Sequence, residues 1–308
     1  MKLFSKKDRL LYLAILAFVF VSTTALAIGG AIPEIVQYLP VVAKQEKSFP
    51  PLPALKQNST FPVLSAQGVL AVDLDSGISL YDKNSDGTLL PASTTKIVTA
   101  LVTLDNYSLD EILTVPKFSV EGQKMGLIEG EQMRVENLLY ALLVYSANDA
   151  GEVLARNFPG GYDAFIAAMN AKAAQLSMKN SHFDNPVGFD QNAQRTTARD
   201  LVRVSEVAMR NPEFAKIVGT KNIIIKDISG KLSYNLRNIN ELLGKVPGVM
   251  GVKTGWTENA RENLVTYMER DGHEIMIAVL GSQDRFGETK ELIDWIFSNY
   301  EWQEVKPF

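Results

Sequence analysis

The sequence contains no cysteine and only two histidines, His182 and His273. The absence of cysteine excludes disulfide bonds, thiolate catalysis and zinc sites built on cysteine. Two histidines are too few for a histidine metal cluster, so we expect no metal site. The body of the chain also lacks a basic stripe, and its net charge of −4 argues against nucleic acid as a partner.

Charge is also absent from residues 10–32, which follow a basic segment at residues 2–9. A stretch of this length can span a bilayer, which takes about 20 residues. The same order of basic, apolar and small residues, ending in the Ala-Leu-Ala of residues 25–27, fits a cleavable signal peptide. We favour an anchor because the apolar character continues beyond residue 27. Either interpretation predicts a cell-envelope protein, anchored at the outer face of the cytoplasmic membrane through residues 10–32, or secreted or periplasmic after cleavage.

The remaining chain is divided by proline content and by hydrophobic periodicity. Residues 33–64 are rich in proline and are predicted to be an extended, poorly packed linker. Residues 65–301 form the predicted folded domain, with a short tail at 302–308. Both ends of that domain predict β-hairpins, with turns at residues 75–77 and 271–272, whereas its middle shows helical spacing. We therefore predict a sheet formed by both ends of the domain, with a helical region inserted between them.

The segment Pro91 to Lys96 reads PASTTK and precedes an apolar stretch that is predicted to be a buried helix. Ser93 and Lys96 lie three positions apart, so a helix places them on one face. A serine hydroxyl becomes a strong nucleophile when a base takes its proton, and a lysine of lowered pKa can be that base. The structural alternative is that Ser93 caps the helix and Lys96 extends to solvent.

A second candidate element is YSANDAGEVLA, residues 145–155. Ser146 and Asn148 are two positions apart and would diverge on one continuous helix. Asp149 followed by Glu152 predicts a capping box and therefore the start of a new helix. A helix break at this point would let Ser146 and Asn148 face the same cleft.

A third candidate element is Lys253-Thr254-Gly255, which follows the β-prone residues 249–252. Gly255 permits a ligand to approach the backbone closely, and Lys253 supplies a cation beside it. In isolation, an edge-strand lysine and a turn glycine are the better explanation of the same residues.

The three elements occur in the order that is typical of penicillin-binding proteins and class A β-lactamases. The chain resembles the low-molecular-mass penicillin-binding proteins, the D-alanyl-D-alanine carboxypeptidase family of serine peptidases, over about residues 65–300. The stretches FDNPVGFD and TTARDL belong to the same resemblance. It implies an α/β protein of the β-lactamase and DD-peptidase fold, with a central antiparallel sheet flanked by helices and an inserted all-helical subdomain.

The resemblance also implies catalytic roles. Ser93 attacks the carbonyl of the penultimate D-alanine in a peptidoglycan stem peptide, after neutral Lys96 has taken its proton. Ser146 relays a proton to the leaving D-alanine, and Asn148 binds the substrate amide and helps to position Lys96. The N–H groups of Ser93 and Trp256 form the oxyanion hole. Water then hydrolyses the acyl-enzyme, and no metal or organic cofactor takes part.

The substrate's free carboxylate is expected to bind Lys253, Thr254 and Arg285 beside Gly255. A carboxypeptidase must distinguish a chain end from a chain middle, and charge-assisted hydrogen bonds to the carboxylate do so. Arg285 precedes Trp295 at a spacing similar to that of a family arginine. The resemblance adds β-lactam antibiotics as ligands of the same site.

Several alternatives stay open at the level of sequence. Arg261 stands where the family usually has glycine, and it is expected to narrow the cleft edge or to alter substrate choice. A D,D-endopeptidase that cleaves cross-linked muropeptides would use the same residues as a carboxypeptidase. A β-lactamase would need a dedicated deacylation base, and no Glu-x-x-Leu-Asn stretch lies between Asn148 and Lys253. The intact motifs disfavour an inert peptidoglycan-binding module.

Overall fold

The computed structural model describes residues 50–191 and 193–305. The predicted membrane segment at residues 10–32 lies outside this part of the chain, as does the first part of the predicted linker. None of the helices within the described ranges is long and apolar enough to cross a membrane.

The strands are β1 Leu52–Leu55, β2 Gly68–Asp73, β3 Ser79–Lys83, β4 Ile112–Thr114, β5 Gln132–Arg134, β6 Asn222–Lys226, β7 Ser233–Arg237, β8 Val249–Thr257, β9 Arg261–Arg270, β10 His273–Ser282 and β11 Tyr300–Gln303. The helices are α1 Lys96–Asn106, α2 Val135–Leu143, α3 Asn148–Arg156, α4 Gly161–Gln175, α5 Ala198–Met209, α6 Pro212–Val218 and α7 Arg285–Asn299, and a 3₁₀ turn, Ala92–Thr95, precedes α1.

The central sheet has five antiparallel strands in the order β3-β2-β10-β9-β8. Its two hairpins, β2-β3 and β9-β10, are those predicted from the sequence. Asp271 and Gly272 form the second turn, and both have positive φ values, of 54° and 80°. A tight turn between twisted strands requires this conformation, which aspartate and glycine adopt more readily than most residues. The sheet therefore brings the amino-terminal and carboxy-terminal parts of the domain together, as expected.

Strand β10 is buried on both faces, in agreement with its almost wholly apolar sequence. One face packs against the helical region, and the other packs against α7. Because successive strand residues point to opposite faces, a single strand contributes to both cores. The side chains of β10 in the helical core are Met276, Ala278 and Leu280, and those facing α7 are Ile275, Ile277 and Val279.

Helix α1 is the centre of the inserted helical region. Its residues from Lys96 to Thr103 are all buried, because the helix is apolar around most of its circumference and is surrounded by other helices. The 3₁₀ turn that precedes α1 lies against β8 at the edge of the central sheet. This arrangement places Ser93 at the boundary between the sheet and the helical region.

The structure differs from the predicted boundaries of the folded domain. Within the predicted linker, β1 pairs antiparallel with β11, so Leu52 lies opposite Gln303. The indole Nε1 of Trp295 also donates a hydrogen bond of 2.7 Å to the carbonyl of Thr60. Proline did not prevent this pairing, because a short two-stranded ladder tolerates Pro53 at an edge. The folded domain thus includes residues 52–64 and the first part of the predicted tail.

A domain that begins at residue 65 should be less stable than one that begins at residue 50. The shorter chain loses the β1-β11 ladder and the contact of Phe61 with Trp295, whose ring centroids are 4.8 Å apart. Net contributions of about 1 kcal/mol for each lost hydrogen bond or aromatic pair predict a loss of about 2–4 kcal/mol. Thermal unfolding should show a Tm lower by roughly 5–15 °C. Coincident unfolding curves for the two chains would show that residues 50–64 do not stabilise the domain.

Candidate active site

The 3₁₀ turn and the first residue of α1 bring Ser93 and Lys96 into contact. The Nζ atom of Lys96 lies 2.8 Å from the Oγ atom of Ser93. Lys96 is completely buried, whereas Ser93 is half-buried and lines an open cleft. The structural alternative, in which Lys96 extends to solvent, is therefore wrong.

Two further acceptors determine how the Lys96 amine is oriented. The Nζ atom donates to Asn148 Oδ1 at 2.7 Å and to the carbonyl of Val187 at 2.9 Å. A neutral amine has two N–H groups and one lone pair. When Asn148 and Val187 accept both N–H groups, the lone pair faces the hydroxyl of Ser93. The contacts of Lys96 are therefore those required of a base that takes the proton of Ser93.

The electrostatic environment favours the neutral form of both site lysines. Burial lowers the pKa of Lys96 well below its ordinary value, and the charge of Lys253 lowers it further, whereas Asp149 acts in the opposite direction. Burial also lowers the pKa of Lys253 to about 7, with a smaller contribution from the charge of Arg285. Desolvation has this effect because it penalises the charged ammonium. Lys96 therefore loses its proton far more readily than an exposed lysine does.

The helix break predicted near Ser146 is confirmed. Helix α2 ends at Leu143 and α3 begins at Asn148, while Ser146 between them has a φ of 63°. The break turns the side chains of Ser146 and Asn148 into the same cleft. Ser146 Oγ lies 2.9 Å from Lys253 Nζ, so it connects the second lysine to the cleft surface.

The predicted capping box at the start of α3 is wrong. The carboxylate of Asp149 accepts hydrogen bonds from the N–H groups of Met125, Gly126 and Leu127, at 2.8–3.1 Å. Glu152 instead forms an ion pair with Arg156. The loop at residues 123–127 lies against the start of α3, so its unpaired N–H groups are close to the carboxylate of Asp149.

Strand β8 forms the opposite wall of the cleft. Lys253 is buried behind this wall, where its Nζ donates to Ser146 Oγ and to the carbonyl of Thr254. A Cβ atom on Gly255 would lie only 3.1 Å from the backbone nitrogen of Ser93, so glycine permits the strand to approach the 3₁₀ turn. Arg285, at the start of α7, donates a 2.9 Å hydrogen bond to the carbonyl of Gly255.

The cleft has a volume of about 680 Å³ and contains most of the predicted site residues at its surface. Lys96 and Lys253 do not line it; Lys96 lies behind Ser93, and Lys253 lies behind Ser146. The predicted residues at the surface of the cleft are Ser93, Ser146, Asn148, Thr254, Gly255, Trp256 and Arg285.

No role was predicted for the loop FDNPVGFD, residues 183–190, although it positions the amine of Lys96. The Asn185 side chain accepts hydrogen bonds from the N–H groups of Val187, Gly188 and Phe189, at 2.7–3.2 Å. This turn directs the carbonyl of Val187 toward Lys96. Gly188 has a φ of 92°, and a Cβ atom there would collide with the carbonyl oxygen of Ala92. The motif was a recognisable signal, but its role depends on contacts distant in sequence.

Arg261 does not narrow the cleft, contrary to expectation. It is the first residue of β9, its side chain is exposed, and it is not among the residues that line the cleft. Its φ is 58°, a conformation in which glycine is unstrained, and this explains why glycine suits the position.

Comparisons with known proteins agree with this geometry. A family model described as D-alanyl-D-alanine carboxypeptidase matches residues 55–284. A D-alanyl-D-alanine carboxypeptidase of Bacillus subtilis is 30% identical over 77% of this chain, which covers only 63% of that relative. A D-alanyl-D-alanine endopeptidase of Pseudomonas aeruginosa is 31% identical, with 76% of this chain and 77% of the relative covered. The crystal structure of the Streptomyces K15 DD-transpeptidase matches with a TM-score of 0.72 and 31% identity, covering 78% of this chain and 99% of that one.

The chain therefore belongs to the D-alanyl-D-alanine carboxypeptidase family of serine peptidases. The predicted family, the DD-peptidase fold and the enzyme class are confirmed. The three relatives are named for three different reactions: a carboxypeptidase, an endopeptidase and a transpeptidase. Membership of the family therefore does not identify which of these reactions the chain catalyses.

Replacing Lys96 with arginine should abolish acylation of Ser93 by benzylpenicillin, although the positive charge is kept. Arginine does not release its proton near neutral pH and so cannot act as the base. In the wild type, the acylation rate should rise with pH, because the neutral fraction of Lys96 increases as the pH passes its pKa. Intact mass spectrometry over a pH series measures both effects.

The matched control for this experiment is Lys179→Arg, at an exposed position. It should acylate at the wild-type rate. Near-normal acylation of Lys96→Arg, with the same pH dependence as the wild type, would assign Lys96 a structural role only.

Proposed function

We propose that the cleft removes the terminal D-alanine from peptidoglycan stem peptides through an acyl-enzyme on Ser93. The observation that carries this proposal is the contact of Ser93 with buried Lys96, whose other two acceptors leave its lone pair directed at the serine hydroxyl. A module that only bound peptidoglycan would not require a buried amine in contact with a serine hydroxyl. The intact geometry therefore supports catalysis.

The reaction proceeds in two steps. Ser93 Oγ attacks the carbonyl carbon of the penultimate D-alanine while Lys96 takes its proton, and the N–H groups of Ser93 and Trp256 stabilise the oxyanion. Ser146, in contact with Lys253, passes a proton to the leaving amine. The C–N bond breaks and D-alanine leaves. Water then hydrolyses the ester and restores the hydroxyl of Ser93.

Recognition of the free carboxylate is supported by two buried polar atoms that have no hydrogen-bond partner in the described structure, Thr254 Oγ1 and Arg285 Nε. Unpaired buried donors are costly, so these atoms suit a ligand that supplies acceptors. A carboxylate supplies two. Lys253 contacts Ser146 and the Thr254 carbonyl rather than the open cleft. Its contribution to carboxylate binding in this proposal is therefore an indirect electrostatic one.

The envelope location follows from the same substrate. Peptidoglycan peptides lie outside the cytoplasmic membrane, and residues 10–32 supply the attachment or the export signal in this proposal. β-Lactam antibiotics would acylate the same serine, because the amide that Ser93 attacks has a counterpart in their ring.

An endopeptidase activity on cross-linked stem peptides is the second candidate function. It is favoured by the size of the cleft, about 680 Å³, and by the name of the Pseudomonas aeruginosa relative. Both reactions would use the same acyl-enzyme, and they differ only in the group that leaves.

Carboxylate recognition predicts that the wild type strongly prefers a pentapeptide ending in D-Ala-D-Ala over its carboxamide. Arg285→Ala should remove much of this preference, since a lost charged hydrogen bond costs about 1.5–3 kcal/mol, or roughly ten- to a hundredfold in kcat/KM. Arg210→Ala, at an exposed surface ion pair, is the matched control and should retain the preference. Equal cleavage of acid and carboxamide by the wild type would contradict carboxylate recognition and favour the endopeptidase.

Benzylpenicillin should modify Ser93 alone, and the adduct should hydrolyse slowly. The residues that line the cleft include two glutamates, Glu121 and Glu258, and neither makes a hydrogen bond to Ser93, Lys96 or Ser146 in the described structure. Peptide mapping after inactivation, with Ser93→Ala as the control, locates the adduct. Turnover of penicillin near an ordinary enzyme rate of about 10 per second would instead indicate a β-lactamase.

A further inference from the structure

A segment without regular secondary structure, residues 121–127, lies between β4 and β5 and forms part of the cleft wall. We call it the cleft loop. Each hydrogen bond that the described structure gives to these residues joins them to Asn148 or Asp149, the first two residues of α3. The start of α3 is therefore the point to which the backbone of the cleft loop is attached.

Asp149 holds the second half of the cleft loop. Its side chain is buried, and its carboxylate accepts the N–H groups of Met125, Gly126 and Leu127 at 3.1, 2.8 and 3.0 Å. The N–H of Ala150 donates to the same carboxylate at 3.1 Å. Hydrogen bonds to a charged acceptor are stronger than those between neutral groups. The attachment of the loop therefore depends on the charged form of one side chain.

The first half of the cleft loop holds Asn148. The carbonyl of Glu121 accepts a hydrogen bond of 2.8 Å from Asn148 Nδ2, and the carbonyl of Gln123 accepts one of 2.7 Å from the Asn148 N–H. At the other end of the same side-chain amide, Oδ1 accepts a hydrogen bond of 2.7 Å from Lys96 Nζ. The cleft loop thus determines which end of the Asn148 amide faces Lys96.

The orientation of this amide determines what the lone pair of Lys96 can do. With Oδ1 facing the amine, neutral Lys96 donates to Asn148 and keeps its lone pair for the hydroxyl of Ser93. If the amide rotated by a half-turn, its Nδ2 would face Lys96, and an N–H would compete with Ser93 for the lone pair. The carbonyl of Glu121 opposes this rotation, because a rotated amide would place one oxygen against another.

We propose that Asp149 is a positioning residue for the catalytic base. Its carboxylate holds the cleft loop, the loop holds the amide of Asn148, and the amide directs the lone pair of Lys96 at Ser93. Asp149 does not line the cleft, so it acts on the reaction through the loop and not on the substrate. This inference rests on the proposed acyl-enzyme chemistry.

The test measures the rate at which benzylpenicillin acylates the whole chain, as a function of penicillin concentration. Asp149→Asn keeps the size of the side chain but replaces one carboxylate oxygen with an amide nitrogen, which cannot accept from the N–H groups of the loop. We expect the maximal acylation rate to fall roughly five- to a hundredfold, as for buried donors left unpaired. The fall in the maximal rate should exceed any change in the half-saturating penicillin concentration.

The rates are compared at a pH where the wild-type rate has reached its maximum. Burial and the charge of Lys253 lower the pKa of Lys96, and the charge of Asp149 opposes them. Loss of the Asp149 charge alone would favour the neutral amine and move the rising part of the pH profile to lower pH. It would not reduce the maximal rate, so a lower maximal rate reports on the position of the base.

The matched control is Asp200→Asn. Asp200 is also buried in the first turn of a helix, and its carboxylate accepts from the N–H of Asn180 and the hydroxyl of Ser181, at 3.0 and 2.9 Å. The segment that it holds does not line the cleft. Asp200→Asn should therefore lower the Tm about as much as Asp149→Asn does, but it should be acylated at the wild-type maximal rate.

Two further variants test the route through Asn148. In the presence of Asn148→Ala, Asp149→Asn should lower the maximal rate by less than about threefold, because residues that act through one contact are not additive. Gly122→Ala should lower the maximal rate by itself, since a Cβ atom there would lie 2.9 Å from Asn148 Nδ2. Its control is Gly77→Ala, which has a similar positive φ, 72° against 74°, and open space around the Cβ position.

The inference is overturned if Asp149→Asn keeps the wild-type maximal rate, if its loss is confined to the half-saturating concentration, or if Asp200→Asn loses as much. Fully multiplicative losses from Asp149→Asn and Asn148→Ala also overturn it, because Asp149 would then act by another route. If Asp149→Asn does not fold, a maximal rate of Gly122→Ala equal to that of Gly77→Ala overturns it.

Failure of the proposed function has a different signature. A wild type that is acylated by penicillin but does not trim a pentapeptide ending in D-Ala-D-Ala would refute the proposed function, and the positioning role of Asp149 would still be decided by the acylation rates. A wild type that is not acylated at Ser93 would refute both.

Discussion

The structure depends on one costly feature, the complete burial of a lysine amine at the start of α1. A charged amine in that position would be strongly destabilised, so burial selects the neutral form. The amine is held by Ser93, Asn148 and the carbonyl of Val187, which come from three separate parts of the helical region. The buried amine needs these hydrogen-bond partners. The helix break before α3 supplies Asn148, and the turn at Asn185 supplies the carbonyl of Val187.

The central sheet contributes to the site mainly through its edge strand, β8. β8 pairs with β9 on one side only, so its other edge faces the helical region and forms a wall of the cleft. Gly255 permits this edge to approach the 3₁₀ turn that carries Ser93. The cleft therefore lies between the helical region and the edge strand β8 of the central sheet.

The cleft is lined by charged side chains of both signs. Glu121 and Glu258 line the cleft that holds Ser93, whereas Arg285 lines both this cleft and a second cavity. Lys253 adds a partly charged amine behind the wall, since its pKa is about 7. The lining of the cleft therefore combines two carboxylates with one guanidinium, and a second amine lies behind it.

The hairpins, the buried α1, the break at Ser146 and the three motifs of the site could be predicted, because each is encoded by residues close together in the chain. Three features could not be predicted in this way: Asp149 binds the backbone of residues 125–127, residues 52–55 pair with the last strand, and Arg261 does not line the cleft. Those outcomes depend on contacts between segments far apart in sequence. Local patterns specify turns and periodicity, but only tertiary packing decides which unpaired polar group meets which partner.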